Sequence, residues 1–296
     1  MHTIQKILFV VNSGAGVKQE KDWEEEIKSV LKDSPVEAVF HLLKEGDNRQ
    51  TICRCIDETR PQKVVAVGGD GTVKMVAEAV KESTLVMGII PAGSANGLAK
   101  ELTIPAGLTE ALEIVINGKE SKLDAIRINE EDLCFHLGDA GLNALLVKYF
   151  ERYEGRGMWG YTRSLAKMLW YKRRMRVRIE TDNETVKRKA FMVALANAEK
   201  YGTGAIINPN GNVADGEFEV VVVRNINILE VFKSVMAHRN FNPKHIEVFR
   251  TKTAKLVFQQ AAPFQVDGEY RGKLATVEAR ILPGIVKIML PDPLYS

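Results

Sequence analysis

Short apolar runs that end in glycine-rich turns dominate the first hundred residues. Residues 7–11, 64–67 and 86–90 are almost entirely apolar, and the run 64–67 contains three valines. Such runs are typical of parallel strands that are buried on both faces. From Val73 to Val80, apolar residues recur at helical spacing, which predicts a helix after the second strand. Strands that alternate with helices in this way predict a three-layer α/β domain.

The pattern changes after Asp124, where short strands separated by polar turns dominate. Two such turns are residues 129–132 and 181–184. Helical spacing returns near residues 144–172 and 228–238. The second half is therefore predicted to be mostly β, either a sandwich or a partly closed barrel.

Each of the three N-terminal apolar runs ends in a loop rich in glycine, amide or hydroxyl groups. The loops are residues 12–16, 68–72 and 91–97. Ligands of an open parallel sheet bind beyond the carboxyl ends of its strands, so three such loops can converge on one site. The N-terminus of the helix that follows the second loop would point backbone N–H groups at an anion. A plain tight turn would not need three glycines around Asp70.

Other phosphate-binding and hydrolytic signatures are absent from the sequence. There is no Gly-x-x-x-x-Gly-Lys-Ser/Thr run, and Gln19 stands where the third glycine of a dinucleotide fingerprint would follow Gly14 and Gly16. The sequence also lacks His-Glu-x-x-His and Gly-x-Ser-x-Gly. The sequence therefore carries no signature of a Walker-type nucleotide site, a Rossmann dinucleotide site, a zinc peptidase or an α/β-hydrolase.

Four motifs, in sequence order, resemble those of the diacylglycerol kinase and sphingosine kinase superfamily, in particular its soluble bacterial lipid kinases. The motifs are residues 68–72 (Gly-Gly-Asp-Gly-Thr), 91–96, 212–218 and 266–269. The resemblance spans nearly the whole chain. It implies a nucleotide-binding domain similar to those of NAD kinases and phosphofructokinases, followed by a β-sandwich-like domain for the lipid acceptor. Because the C-terminal strand of this family returns to the first domain, we predict the domains 1–124 with 283–296, and 125–282.

Composition agrees with a two-domain enzyme. The chain has 296 residues, 45% of them hydrophobic, and 41 basic against 38 acidic side chains, a net charge of +3 that argues against wholesale nucleic-acid binding. No apolar run approaches the roughly 20 residues of a membrane span. The three cysteines match no zinc spacing and are read as reduced thiols. We therefore expect a cytoplasmic protein, with association into homo-oligomers left open.

Phosphoryl transfer explains why these residue types are needed. The γ-phosphoryl group must be held in line and its charge neutralised, and the acceptor hydroxyl must be oriented. Lys74 is interpreted either as an extra cation or as a solvated helix residue, and Asn96 either fixes its loop or reaches the nucleotide. The predicted ATP-binding residues are Asn12, Ser13, Gly14, Ala15, Gly16, Gly68, Gly69, Asp70, Gly71, Thr72, Val73, Lys74, Ser94 and Asn96.

The predicted catalytic residues are Glu269 and Asp70. By resemblance, Glu269 is the general base that accepts the proton of the acceptor hydroxyl. Because Asp267-Gly268 is also a strong hairpin signal, an exposed hairpin residue is the alternative interpretation of Glu269. A catalytic Mg²⁺ would bridge the nucleotide phosphates, and Asp70 would hold it directly or through water.

The resemblance also implies a second, structural Mg²⁺. Its ligands would be the Asp215 carboxylate and groups at Asn212 and Glu217, expected to be backbone carbonyls. Relatives often have two successive acids before the glycine, whereas this chain has Ala214 before Asp215. One carboxylate is therefore missing from the predicted metal site. Gly97 likewise replaces a usual aspartate near the nucleotide.

Two segments are candidates for contact with a lipid. Residues 172–178 carry five basic side chains and follow the aromatic-rich segment 158–171, a combination that suits an anionic membrane surface. The alternation of apolar and basic residues up to Ile179 indicates a half-exposed strand equally well. Asp139 either binds a lipid headgroup or caps a helix.

These observations predict an ATP-dependent lipid kinase that phosphorylates a hydroxyl of diacylglycerol or of a related lipid. The alternatives are a kinase of NAD or of another small hydroxyl compound, and a lipid-binding regulatory protein with weak or no catalysis. The expected cofactors are ATP and Mg²⁺, and the expected partners are a lipid substrate and the surface of an anionic membrane.

Overall fold

A computed structural model describes residues 5–12, 22–141, 144, 174–198, 211–225 and 245–292. The chain forms two compact units: unit 1 is Met1–Leu123 with Gly284–Ser296, and unit 2 is Asp124–Pro283. Among the described helices, none is long and apolar enough to cross a membrane.

Unit 1 contains parallel strands joined by helices. The sheet order is β14-β4-β3-β1-β2, and all of these neighbours pair in parallel. Every residue of β3 and β4 is buried, as expected for a sheet that is covered on both faces. The strands are β1 (Gln5–Val11), β2 (Val36–Leu42), β3 (Lys63–Gly68) and β4 (Val86–Pro91). The helices are α1 (Trp23–Val30), α2 (Arg49–Thr59), α3 (Asp70–Val80), α4 (Gly97–Glu101) and α5 (Leu108–Asn117).

The helices of unit 1 begin in two different ways. The Asp22 side chain accepts a hydrogen bond at the start of α1, and the Asn48 side chain accepts two at the start of α2. By contrast, the residue that precedes α3 is Gly69, which has no side chain to cap the helix. The first N–H groups of α3 are thus left for a different partner.

The strands in the described part of unit 2 pair antiparallel. Its pairing order is β12-β11-β10-β7-β13-β14, and β8 joins β13 to β9. The strands are β5 (Lys119–Ile128), β6 (Asp132–Cys134), β7 (Leu137–Gly141), β8 (Met175–Thr181), β9 (Thr185–Ala190), β10 (Met192–Ala196), β11 (Phe218–Val223), β12 (Ile246–Thr251), β13 (Thr253–Val266) and β14 (Glu269–Leu290). The first residues of β5 and the last residues of β14 belong to unit 1.

Strand β13 changes partner along its length. Its first part pairs with β8, the residues from Phe264 to Val266 pair with β7, and the register shifts between Val257 and Ala262. An irregularity of this kind bends a strand and lets its two ends pair with different strands. The bend brings the end of β13 beside β7, where the hairpin to β14 begins.

Candidate active site

The described loops at the carboxyl ends of β1, β3 and β4 lie side by side in unit 1. The Asn12 N–H donates to the Val67 carbonyl at 3.0 Å, and the Ala92 N–H donates to the Gly68 carbonyl at 2.9 Å. These bonds continue the parallel ladder past the strand ends. The ends of β1, β3 and β4 and the first described residue after each therefore meet at one edge of the sheet. Ser13, Gly14, Ala15 and Gly16 lie outside the described residues.

Glycines allow the loops after β3 and β4 to touch through their backbones. A Cβ atom on Gly93 would lie 2.4 Å from the Cα of Gly69, and one on Gly69 would lie 3.2 Å from the Cα of Gly93. A Cβ atom does not fit at 2.4 Å from a backbone atom, so Gly93 must lack one, and a Cβ on Gly69 would need the backbone to shift by a few tenths of an ångström. Gly68 is also closely packed, since a Cβ there would meet the Thr72 side chain.

Asn96 fixes its own loop, which is one of its two predicted roles. Its side chain accepts from the Gly93 N–H at 2.9 Å and donates to the Gly93 carbonyl at 2.8 Å. Asn96 has a left-handed backbone, with φ of 49°, a conformation that asparagine tolerates better than most residues. Ser94 is exposed beside it.

Asp70 joins the loop after β3 to the loop after β4. One carboxylate oxygen accepts from the Gly97 N–H at 3.0 Å and the other from the Leu98 N–H at 3.1 Å. The carboxylate thus receives the first N–H groups of α4, where negative charge is favourable. Each carboxylate oxygen can accept a second hydrogen bond. The Asp70 carboxylate therefore still suits a water molecule that is bound to Mg²⁺.

The other residues predicted on α3 differ in what they offer to a nucleotide. The Asn12 side chain donates to the Thr72 hydroxyl at 3.3 Å, and Thr72 is buried. Lys74 is only 8% exposed, which excludes its interpretation as a solvated helix residue. Gly71 is exposed. The Val73 N–H donates to the Gly69 carbonyl and is therefore not available to a phosphate. The Val73 side chain is buried in the core.

In unit 2, the turn before Glu269 is a two-residue hairpin between β13 and β14. Asp267 and Gly268 both have positive φ, 48° and 87°, which is the geometry of a type I′ turn. The Asp267 carboxylate accepts from three consecutive N–H groups at 3.0 Å, those of residues 135–137. The Gly268 N–H donates to the Gln265 side chain at 2.7 Å. The turn is therefore held from both sides.

Glu269 lies at the start of β14 with its side chain 47% exposed and is held by an ion pair with Arg271. The Nε of Arg271 also donates to both carboxylate oxygens of Asp132 at 3.0 Å. Burial alone would lower the pKa of Arg271, but the hydrogen bonds with Asp132 and Glu269 outweigh it and raise the pKa above its usual value. Arg271 is thus a fixed cation between two carboxylates.

Of the two roles predicted for Asp139, binding a lipid headgroup or capping a helix, the structure shows a structural one. It is fully buried in β7, and its carboxylate accepts from the Ala144 N–H at 3.0 Å and from the Gln265 amide. Because Gln265 also holds Gly268, Asp139 supports the hairpin that carries Glu269.

The predicted metal segment surrounds a guanidinium group instead of presenting free ligands. Asp215 accepts from the Glu217 N–H at 3.1 Å and from Arg250 at 2.7 Å, and Arg250 also pairs with the Glu217 carboxylate. The Asn212 side chain accepts from the Ala214 N–H at 3.1 Å. Within the described part of the chain, no group of three His, Cys, Asp or Glu residues could hold a metal ion. The Asp215 carboxylate, the predicted side-chain ligand of the metal, is thus paired with a cation of the protein.

The described end of the basic segment forms a half-exposed strand. Strand β8 exposes Arg176 and Arg178 and buries Val177 and Ile179. The rest of that segment, residues 172 and 173, and the aromatic-rich residues 158–171 lie outside the described residues.

Two family descriptions together match most of the chain. "Diacylglycerol kinase catalytic domain" matches residues 6–128, and "YegS C-terminal NAD kinase beta sandwich-like domain" matches residues 139–290. The chain belongs to this diacylglycerol kinase and YegS family of lipid kinases. The match confirms the predicted resemblance and the predicted fold of an α/β domain followed by a β-sandwich-like domain.

Relatives in this family are distant in sequence. The chain is 25% identical over 237 residues to a protein named diacylglycerol kinase from Staphylococcus saprophyticus, covering 78% of this chain and 77% of that protein. It is 25% identical over 305 residues to a probable lipid kinase YegS-like from Klebsiella pneumoniae, covering 98% of each. A solved structure of a putative diacylglycerol kinase from Bacillus anthracis shares the fold, with a TM-score of 0.78 at 21% identity, covering 99% of this chain and 100% of that one.

Sequence reasoning missed Arg271 and Arg250. Arg271 lies two residues after Glu269 in a strand, so period-two alternation could have placed both side chains on one face. Arg250 carries no such signal, because its carboxylate partners lie more than thirty residues away along the chain.

Proposed function

We propose that the protein is an ATP-dependent lipid kinase that transfers the γ-phosphoryl group to a hydroxyl of diacylglycerol or of a related lipid. The observation that carries this proposal is the direct joining of the 68–72 and 93–98 loops, by backbone contact and by Asp70, at the uncapped start of α3. Membership of the lipid kinase family supports the reaction class. Relatives named diacylglycerol kinase support the choice of acceptor.

The nucleotide is proposed to bind at the carboxyl edge of the sheet in unit 1. Backbone N–H groups of the glycine-rich loops and of the α3 N-terminus would bind the phosphates, and their missing Cβ atoms leave room for them. Lys74, buried on α3, would add positive charge. Asp70 would hold Mg²⁺ through water, and this ion would neutralise charge on the transferring phosphoryl group.

Glu269 is proposed as the general base. As the acceptor oxygen forms its bond to the γ-phosphorus and the bond to the ADP oxygen breaks, the hydroxyl proton passes to the Glu269 carboxylate. The hairpin fixes the backbone of this residue through Asp267, and the Asp132–Arg271 pair fixes its side chain. Arg271 acts here as a positioning residue.

We also propose that the lipid reaches the enzyme at an anionic membrane surface. The exposed arginines of β8 support this proposal, because each cation near such a surface contributes about 1 kcal/mol. The cytoplasmic location stays a prediction from the sequence.

Transfer of labelled γ-phosphate tests the proposal. The purified protein is incubated with ATP and Mg²⁺ and with diacylglycerol, monoacylglycerol, a sphingoid base, phosphatidylglycerol or NAD as acceptor. We expect a labelled lipid, and we expect Glu269→Gln to abolish it. Glu278→Gln is the matched control, because Glu278 lies on the same strand, is exposed and pairs with Lys255.

Each result has a different meaning. Labelled NAD without labelled lipid would refute the lipid kinase and favour the alternative small-molecule kinase. Binding of ATP and lipid without any transfer would favour the regulatory alternative. Equal activity in Glu269→Gln and in the wild type would refute the role of Glu269 while leaving the lipid assignment intact.

A further inference from the structure

Three carboxylates of unit 2 meet at the side chain of Arg250. Its terminal nitrogen lies 2.7 Å from an Asp215 oxygen, and its Nε pairs with Glu217 and lies 4.0 Å from a Glu219 oxygen. The planar guanidinium group carries several donors in a fixed arrangement that matches carboxylate geometry. A cation of the protein thus pairs with the acidic segment in which a metal was expected.

The sheet fixes this arrangement. β11 and β12 pair antiparallel with Glu219 directly opposite Arg250, so the two side chains project from the same face. The Glu219 side chain is only 4% exposed. A carboxylate so well buried requires compensation by nearby positive charge or by hydrogen bonds.

Protein groups also hold the loop before β11. The Asp124 N–H donates to the Val213 carbonyl at 2.8 Å, and the Gly216 N–H donates to the Asp124 carboxylate at 2.7 Å. Gly216 has a φ of 75°, which lets the loop turn at this point. The backbone of the loop is therefore secured on both sides of Asp215.

We infer that the Arg250 guanidinium replaces the structural Mg²⁺ of this segment, so that the loop folds without a metal ion. Mg²⁺ requires about six oxygen ligands in octahedral geometry. The Asp215 carboxylate is paired with Arg250, Ala214 adds no side-chain oxygen, and the positive charge of Arg250 repels a divalent cation. The inference does not depend on the proposed reaction.

Thermal unfolding of the wild-type protein provides the first test. The midpoint is measured without nucleotide or lipid, in EDTA and in MgCl₂, at matched ionic strength. We expect midpoints that agree within about 1 °C, because an ion that binds only the folded state would raise the midpoint. A saturable rise with Mg²⁺ that EDTA reverses would overturn the inference.

Removal of the guanidinium provides the second test. We expect Arg250→Gln to unfold several degrees lower and to recover stability in MgCl₂, because the carboxylates then lack their cation. Arg250→Lys, which keeps the charge, should stay insensitive to Mg²⁺. Arg178→Gln is the matched control, since Arg178 is equally exposed, at 52%, and pairs with one carboxylate, that of Glu180.

The variant also offers a result against the inference. A folded Arg250→Gln protein that unfolds at the same temperature as Arg178→Gln and does not respond to Mg²⁺ would overturn it. If Arg250→Gln does not fold, the comparison of the wild-type midpoints decides. Both tests read stability alone, so a failed kinase assay leaves their outcome unchanged.

Discussion

Replacement of Asp267 by asparagine should destabilise unit 2 strongly, although the residue lies in a hairpin turn. The carboxylate accepts three backbone N–H groups, and the Cys134 thiol lies 3.4 Å from it. One oxygen receives the His136 and Leu137 N–H groups and the other receives the Phe135 N–H. Asparagine keeps the shape and tolerates the positive φ, so it removes only the charge and one acceptor.

The magnitude follows from these three bonds. A hydrogen bond to a charged group contributes about 1.5–3 kcal/mol, against about 0.5–1.5 kcal/mol for a neutral one. Two bonds weakened and one lost give a destabilisation of about 4–5 kcal/mol, or a drop of roughly 8–20 °C in the unfolding midpoint. Asp267→Ala should cost about 2–5 kcal/mol more, because alanine removes the two remaining bonds and also strains the left-handed backbone.

Differential scanning calorimetry at neutral pH measures the effect. Glu278→Gln removes an exposed carboxylate from the same hairpin strand and should shift the midpoint by less than about 1 °C. A midpoint for Asp267→Asn within about 2 °C of the wild type would refute the reasoning, because the N–H groups would then find equivalent acceptors without the carboxylate.

Three further predictions concern both units. Asp70→Ala leaves two N–H groups of α4 without their acceptor and should weaken ATP binding by at least about tenfold in calorimetric titration. Gly93→Ala should lower the unfolding midpoint, since its Cβ would lie 2.4 Å from the Cα of Gly69, whereas Gly71→Ala, with open space around its Cβ, should not. A hydrogen bond from a threonine hydroxyl is the largest of the contacts that lower the pKa of Asp182. The ionised Asp182 carboxylate stabilises the folded protein above the pKa that this group has in the unfolded chain, and this stabilisation is lost as the pH falls through its lower pKa in the folded protein. The difference in unfolding midpoint between the wild type and Asp182→Asn should therefore shrink from pH 7 to pH 3.

The fold of unit 1 was predictable because its signals are local. The predicted strands 7–11, 64–67 and 86–90 lie within β1, β3 and β4, and the helix after Asp70 is α3. A buried run followed by glycine determines such an element without reference to the rest of the chain. The length of β14 and the change of partner along β13 depend on pairing register, which has no local signature.

In the candidate site, too, local motifs were predictable and long-range contacts were not. The glycine loops and the Asp267 turn were predicted as motifs, and their assigned roles stay predictions. The partners of those residues were not predicted: Asp70 is bound by N–H groups 27 and 28 residues away, and Asp132 reaches Arg271 across 139 residues. Contacts of this range are set by tertiary folding, and no pattern in one sequence contains them.

The return of the last strand determines when unit 1 can be completed during synthesis. The end of β14 pairs with β4, at Lys287 and Ile288, although all of unit 2 is translated between β4 and these residues. At about 5–20 residues per second, the ribosome needs roughly 10–30 s to make unit 2. Throughout that time the fully apolar β4 remains an open sheet edge, which is prone to pair with other chains. A nascent chain of this protein therefore has a defined interval in which chaperone protection matters most.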